Sequence, residues 1–407
     1  MKKYILRNLK LLLIVVATSA QAQVLTRNQA VQTALQNNQL IKSAEYEVEY
    51  FKQMKKTGSD LGKFAATWMG GQYNSSEKDN NFNLSQSIPF PTAIAAHSKL
   101  KKEQLIGSQI KLSIAQNTLV YDVQVAYEQL LYQQAFYKLL QSQDSLYGNF
   151  ARASSLRYKT GESNLLEKTT AETQLQDVKN QLRQTEADII ILQTKLKTLL
   201  KSEERFLPTD QLSKLNYTEA TEIKNPELSY LNQQVVVNEQ NKRVERSGLL
   251  PDITVGYFNQ SLVGFQNTRG QEIYYDKKSR FQGFELGVSF PLWLGPQVGR
   301  LKAAGFQQEA SRQHAEYFQT SLTGEIEQAK LEMARNESSL QYYESNALKN
   351  ADLILTQASK AYRGGEIGYI EFLQSIKNAR EIKAGYLLAL NHYNLSVLRM
   401  DFLQGNY

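Results

Sequence analysis

The placement of proline constrains this chain more than any other feature. All seven prolines fall at positions 89, 91, 208, 226, 251, 291 and 296, so residues 92–207 and 297–407 contain none. Each proline-free stretch keeps helical spacing of its apolar residues and is broken near its middle only by glycine. Written as one helix, Thr92 to Tyr147 alone would reach on the order of 80 Å at 1.5 Å per residue, too long for a globular domain. The returning segments carry heptad seams. The first runs Leu175, Val178, Leu182, Thr185, Ile189, Leu192, Leu196, Leu199, and the second Phe372, Ile376, Ala379, Lys383, Tyr386, Leu390, Tyr393, Val397, Met400. Such steps of three and four mean helix-on-helix packing over many turns. Thr185 and Lys383 interrupt the seams, which predicts shallow contacts in a wide assembly.

The glycine breaks are copies of one another. Tyr158-Lys159-Thr160-Gly161-Glu162 and Leu166-Glu167 recur as Tyr362-Arg363-Gly364-Gly365-Glu366 and Ile370-Glu371, a shift of 204. Phe82 to Pro89 recurs as Phe284 to Pro291 at a shift of 202. Two matches in the same order identify a tandem duplication. The glycines read as sharp turns between two helices. The boundaries are 23–205 for the first repeat, 206–225 for a linker and 226–407 for the second repeat.

Residues 1–22 have the form of a secretory leader: basic through Lys10, apolar from Leu11 to Val16, then Ala20-Gln21-Ala22 as a cleavage site. Removing them takes away Lys2, Lys3, Arg7 and Lys10 and no acid, so a net charge of +7 becomes +3. The basic character that would favour a nucleic-acid partner therefore belongs largely to the export signal. Absence of cysteine excludes disulfides, thiol chemistry and a lipid-anchored N-terminal cysteine. No later stretch has 18 consecutive apolar residues, so an exported chain of this kind is periplasmic, secreted or an outer-membrane β-structure.

Two segments read as amphipathic strands, of a membrane barrel or of a soluble hairpin packed on helices. Phe82, Leu84, Ile88 and Phe90 alternate with Asn83, Ser85 and Ser87. In the duplicate Phe284, Leu286, Val288, Phe290 and Leu292 alternate with Glu285, Gly287 and Ser289. One face is apolar and one polar over the nine to eleven residues that a tilted membrane strand needs. Earlier strands at Phe64 to Asn74 and after Pro251 complete two hairpins, the second with a long polar loop from Leu262 to Arg280. Helices are predicted from Thr26, with Gln29 completing a capping box, to about Thr57, and from Pro226 to Ser247. The order is helix, strand, strand, long helix, turn, long helix, written twice. Four strands close no useful barrel and open edges cannot stand in lipid, so if these strands lie in a membrane several chains must share one barrel.

The mature chain resembles the TolC-like outer-membrane efflux proteins, which include channels of heavy-metal and drug efflux systems. The resemblance rests on the Leu25-Thr26 opening helix ending in Asn37-Asn38, Gly248-Leu249-Leu250-Pro251 before a strand, the paired Ser-x-Pro strand ends and the two Tyr-basic-x-Gly-Glu turns. It implies a homotrimer in the outer membrane of a Gram-negative bacterium. Three chains would build a twelve-stranded β-barrel continued by a long periplasmic α-helical coiled-coil barrel. The partners implied are outer-membrane lipid, a periplasmic adaptor and an inner-membrane transporter of the resistance-nodulation-division type.

The resemblance also assigns residues. Both turns lie at the periplasmic tip, where Lys159, Gly161, Glu162, Gly365 and Glu366 would dock the adaptor. Glu371 would line the narrowest point of the pore, with Gln374 where a second acid is expected; three symmetry-related carboxylates there favour cations. Glu167 matches an acid that hydrogen-bonds Tyr362 to hold the gate shut. Ile367 stands where a partner arginine is expected, and Arg363 is a substitute.

Enzyme chemistry has no comparable support, and no cofactor is implied. His97, His314 and His392 lie in separate helices without a His-x-x-x-His pair, Ser108 to Lys111 fits Ser-x-x-Lys without its companion motifs, and methionine is too scarce for a thioether relay. The expected function is a passive, gated exit duct for metal cations or small toxic organic compounds. The rival is a structural coiled-coil protein of the periplasm, against which the alternating strands argue.

Overall fold

The computed structural model describes residues 23–202, 206–220 and 222–406. The predicted leader lies outside the described residues. The chain opens with strand β1 (Gln23–Leu25) and helices α1 (Arg27–Asn37) and α2 (Gln39–Lys56). Strands β2 (Phe64–Gly71) and β3 (Asp79–Ile88) lead into helix α3 (Pro91–Lys159), which returns as α4 (Leu165–Leu200). Then come β4 (Phe206–Pro208), α5 (Pro226–Ser247), β5 (Asp252–Ser261), β6 (Gly264–Thr268), β7 (Gln271–Tyr275) and β8 (Arg280–Ser289). The second long segment is α6 (Leu294–Tyr342), a π turn (Tyr343–Ala347) and α7 (Leu348–Gly364), with α8 (Tyr369–Gln404) returning. Among the described residues no helix is long and apolar enough to cross a membrane.

The chain forms two compact units. The sheet unit holds Gln39–Thr118, Thr218–Leu331 and the chain from Arg399 onward. Its four strands are ordered β2-β3-β5-β8, every neighbouring pair antiparallel. The register aligns Leu84 with Tyr257 and Phe284, and Gln86 with Val255 and Leu286. With the period of two, Trp68, Phe82, Leu84, Val255, Leu286 and Val288 share one face, and Asn83, Ser85, Ser87, Thr254 and Glu285 the other. The apolar face is bare: Phe284 is 86% and Leu286 78% exposed. Between its end residues the polar face carries one charge, Glu285, with Asn83 Nδ2 3.3 Å from its carboxylate.

The predicted polar loop from Leu262 to Arg280 contains a further hairpin, β6 paired with β7. Arg269 and Gly270 both have positive φ, the twist a two-residue turn needs. Asn225 caps α5 through Leu228 N–H and donates its amide to Leu403 O, tying the end of α8 to the start of α5. Burial near that helix end pushes the Asp401 carboxyl up to about 6.

The helical unit holds the residues up to Asn38, Leu119–Tyr217 and Glu332–Leu398. Thr26 and Gln29 form the capping box of α1, and Asn38 in extended backbone separates α1 from α2 where a continuous helix is predicted. β1 runs parallel to β4. A buried polar group fastens this pair to the helices. Arg27 pairs with the fully buried Glu128 of α3, and Glu128 also accepts from Asn394 of α8. Asp210 accepts from Arg27 N–H at 2.9 Å and from the Tyr127 hydroxyl at 2.8 Å. Burial pushes the Glu128 carboxyl up, and Arg27 and Asn394 pull it back.

Both seam interruptions are accommodated in this unit. Buried Thr185 turns its hydroxyl onto Gln181 O at 2.9 Å, and Lys383 reaches Asp352 at 2.7 Å. From Pro91 to Gly161 the chain is one residue shorter than from Leu294 to Gly365, and the π turn takes up the extra residue. The 202-to-204 change of shift arises from this residue and one more between strand and helix. The Tyr343 ring and hydroxyl lie where a Cβ on Gly385 would stand, so a larger residue there would have to push the tyrosine aside.

Candidate pore gate and docking turns

The helical unit contains both glycine turns, and their backbones match. In the first, Gly161 has φ +77°, Gly161 N–H donates to Tyr158 O and Glu162 N–H to Arg157 O. In the second, Gly365 has φ +74°, with the same two bonds from Gly365 to Tyr362 and from Glu366 to Ala361. A left-handed residue with paired 5→2 and 6→1 bonds is the closure that favours glycine. Lys159, Glu162 and Glu366 are exposed beside these glycines. Leu166 and Ile370, which correspond at the 204 shift, are also exposed, at 66% and 67%.

The helices leaving the turns start differently. Asn164 caps α4 by accepting from Glu167 N–H at 2.9 Å. The matching position before α8 is Gly368, which has no side chain. There Glu371 reaches back and accepts from Gly368 N–H at 3.1 Å. This is the acid half of a capping box. Glu371 and Gln374 lie on the exposed side of α8, and Gln374 donates to Asn378 at 2.9 Å one turn further on.

Behind the turns, Tyr362 stacks on Phe372 at 4.7 Å and 10°, and Phe372 on Phe150 at 4.7 Å. Tyr147, Tyr369, Leu373 and Ile376 complete this core. Burial pushes the Tyr147 and Tyr369 hydroxyls up, with Arg380 pulling Tyr147 back. Arg363 lines a cavity of about 270 Å³ with Phe150, Ser359, Tyr362 and Phe372.

The cation between Tyr362 and Glu167 is Arg157. Its guanidinium is 3.4 Å from the Tyr362 hydroxyl and 4.0 Å from the Glu167 carboxylate, and it also bonds Glu162 O at 3.3 Å. Glu167 Oε2 accepts no hydrogen bond among the described residues. The structure therefore brings Tyr362, Glu167 and Arg157 together, places Arg363 in the lining of the cavity that Tyr362 also lines, and has Glu371 and Gln374 bonded within their own stretch of chain. Arg157 was hidden in the sequence because it sits one residue before the repeated motif, where the second copy has Ala361. Among the described residues no group of three His, Asp or Glu side chains could hold a metal ion.

Residues 219–406 match the sequence model of the family described as outer membrane efflux protein. Over those residues the chain is similar to the outer membrane efflux family. Over more than nine-tenths of its length the chain shares the fold of solved outer-membrane proteins and channels. It superposes on CusC with a TM-score of 0.78 at 15% identity, covering 94% of this chain and 92% of that one. For the outer-membrane protein VceC of Vibrio cholerae the values are 0.74, 14%, 93% and 96%. The Neisseria gonorrhoeae MtrE outer-membrane channel, in an open state, gives 0.70, 14%, 93% and 88%. No curated protein sequence matches the chain. The efflux proteins are transport proteins of the outer membrane, and the antiparallel sheet with long helical hairpins is their architecture.

Proposed function

We propose that this chain is an outer-membrane efflux protein, the exit duct of a tripartite pump, a homotrimer spanning the outer membrane and reaching into the periplasm. The observation that carries the reading is the sheet: β2 and β8 each leave one edge unpaired among the described residues, and one face is apolar and bare. Unpaired N–H and C=O groups are costly in lipid, so such a sheet needs neighbouring copies on both sides. Three copies supply twelve strands, with the face bearing Asn83, Thr254 and Glu285 turned to the water-filled interior.

The chain conducts passively, and a periplasmic adaptor and an inner-membrane transporter of the resistance-nodulation-division type supply substrate and energy. The adaptor docks on Lys159, Gly161, Glu162, Gly365 and Glu366, to which the exposed Leu166 and Ile370 add apolar contact. The closed gate is held by Tyr362, Arg157 and Glu167, with Arg363 alongside. Glu371 and Gln374 line the constriction. Opening is an untwisting of the helices at the turns, favoured when the adaptor binds the open state better. The cargo is metal cations or small toxic organics, for which a wide duct needs no binding site.

Envelope fractionation followed by detergent extraction tests the reading. The expected result is an outer-membrane trimer that forms pores in planar bilayers. A water-soluble monomer of the processed chain without pore activity would sink it. Growth of a deletion strain against copper, zinc and a set of antibiotics then separates metal from drug export.

A further inference from the structure

In the sheet unit, the first turns of α3 and the last turns of α5 enclose a cavity of about 460 Å³, a size suited to a small ligand. α3 follows β3 and α5 precedes β5, the two central strands of the sheet. Ala95, Ala96, Leu249 and Leu250 make its walls apolar. Lys99, Arg243 and Arg246 also line it, and no acid does. Arg243 is paired with Glu239 at 2.6 Å, whereas the Lys99 and Arg246 side chains have no ion-pair partner among the described residues.

A second, independent observation points to the ligand. Gln240 lines the same cavity, is only 3% exposed, and its Oε1 has no hydrogen-bond partner among the described residues. A buried amide oxygen left unpaired is costly, so the site lacks an N–H or O–H donor. The height along the fold points to the source. The duplicate of this strand-to-helix junction carries Leu292 and Trp293, each 87% exposed, the kind of apolar and aromatic side chains that sit at a bilayer boundary.

Resting on the outer-membrane reading above, we infer that this cavity binds the headgroup of a phosphoethanolamine lipid from the periplasmic leaflet. Its phosphate sits on Lys99, Arg243 and Arg246, its ammonium donates to Gln240 Oε1, and its first methylenes lie on Leu249 and Leu250. A phosphate beside these cations makes charge-assisted contacts, and the ammonium supplies the donor that Gln240 is missing.

The test is native mass spectrometry of the full-length oligomer, exchanged from detergent into phosphatidylethanolamine or into phosphatidylcholine. The two lipids share the phosphate, but choline has no N–H. The wild type is expected to retain phosphatidylethanolamine about tenfold more tightly. Gln240→Leu should erase that preference and leave phosphatidylcholine binding unchanged, while the Lys99→Ala, Arg246→Ala double variant should weaken both lipids about tenfold or more. Equal binding of the two lipids by the wild type overturns the proposal, and does so even where a variant fails to assemble. Pore formation recorded on the same samples separates the two readings: pores without lipid preference defeat this inference alone, and no pores defeat the outer-membrane reading itself.

Discussion

Between Gly161 and Glu167 an asparagine caps the outgoing helix, and the acid three residues later is left free to face Arg157. Between Gly365 and Glu371 the capping position is glycine, and the acid folds back onto the helix start. The closing bonds of the two turns are the same; the use of the acid is not. One copy can therefore turn its carboxylate toward the Arg157 that bonds Tyr362, while the other holds its carboxylate in place at an exposed helix start. Divergence at one residue, Asn164 against Gly368, is enough to separate the two roles.

The largest expected effect comes from removing what the copies share. Valine at both Gly161 and Gly365 forces a β-branched residue into positive φ, costing about 1–2 kcal/mol or more at each turn. Efflux, measured as resistance, should be lost while trimers still form on gels; retained efflux would remove the docking role. Asn164→Ala takes the cap from the first copy alone and should lower stability by about 1 kcal/mol in denaturant melts. A loss as large from Glu371→Gln would mean the two starts do not differ as described.

Arg157→Met removes the cation between Tyr362 and Glu167. Because the pair is half exposed the stability cost is below about 1 kcal/mol, but resting conductance in planar bilayers should rise. Unchanged leak would leave Arg157 a surface charge. Glu371→Gln should barely change stability, since glutamine caps the same position. Its cation preference should fall, and unaltered selectivity would take Glu371 out of the gate. The smallest effect is expected from Gly368→Asn, which gives the second copy the cap of the first. A Cβ there meets nothing within 4 Å, and the gain is a few tenths of a kcal/mol. Freed from capping, Glu371 should then raise cation preference; no change in reversal potential would argue against that coupling.

Where the period of the side chains was regular, the sequence was readable. The two turns, the alternation along β3 and β8 and the length of α3 all follow from spacing, because glycine, proline and period-two patterns act locally. What escaped was set by tertiary contact. The β6–β7 hairpin is built of two five-residue strands around Arg269 and Gly270, which carry only a weak hairpin signal. Glu128 reads as an ordinary exposed helix acid until Arg27, a hundred residues earlier, is brought against it. Arg157 joins the latch only because α3 passes α7 at that level, and Leu166 and Ile370 look like core positions until the turn leaves them bare.

The π turn at Tyr343–Ala347 sets a rule for anyone recombining the halves of this chain. Each residue rotates an α-helix by about 100°, so one inserted residue swings everything beyond it by that angle. A chimera that transplants the Gly365 hairpin onto α3 keeps its phase when spliced beyond the π turn, because the extra residue has already been taken up there. Spliced before that point with the extra residue but without the π turn, everything beyond would swing by about 100°.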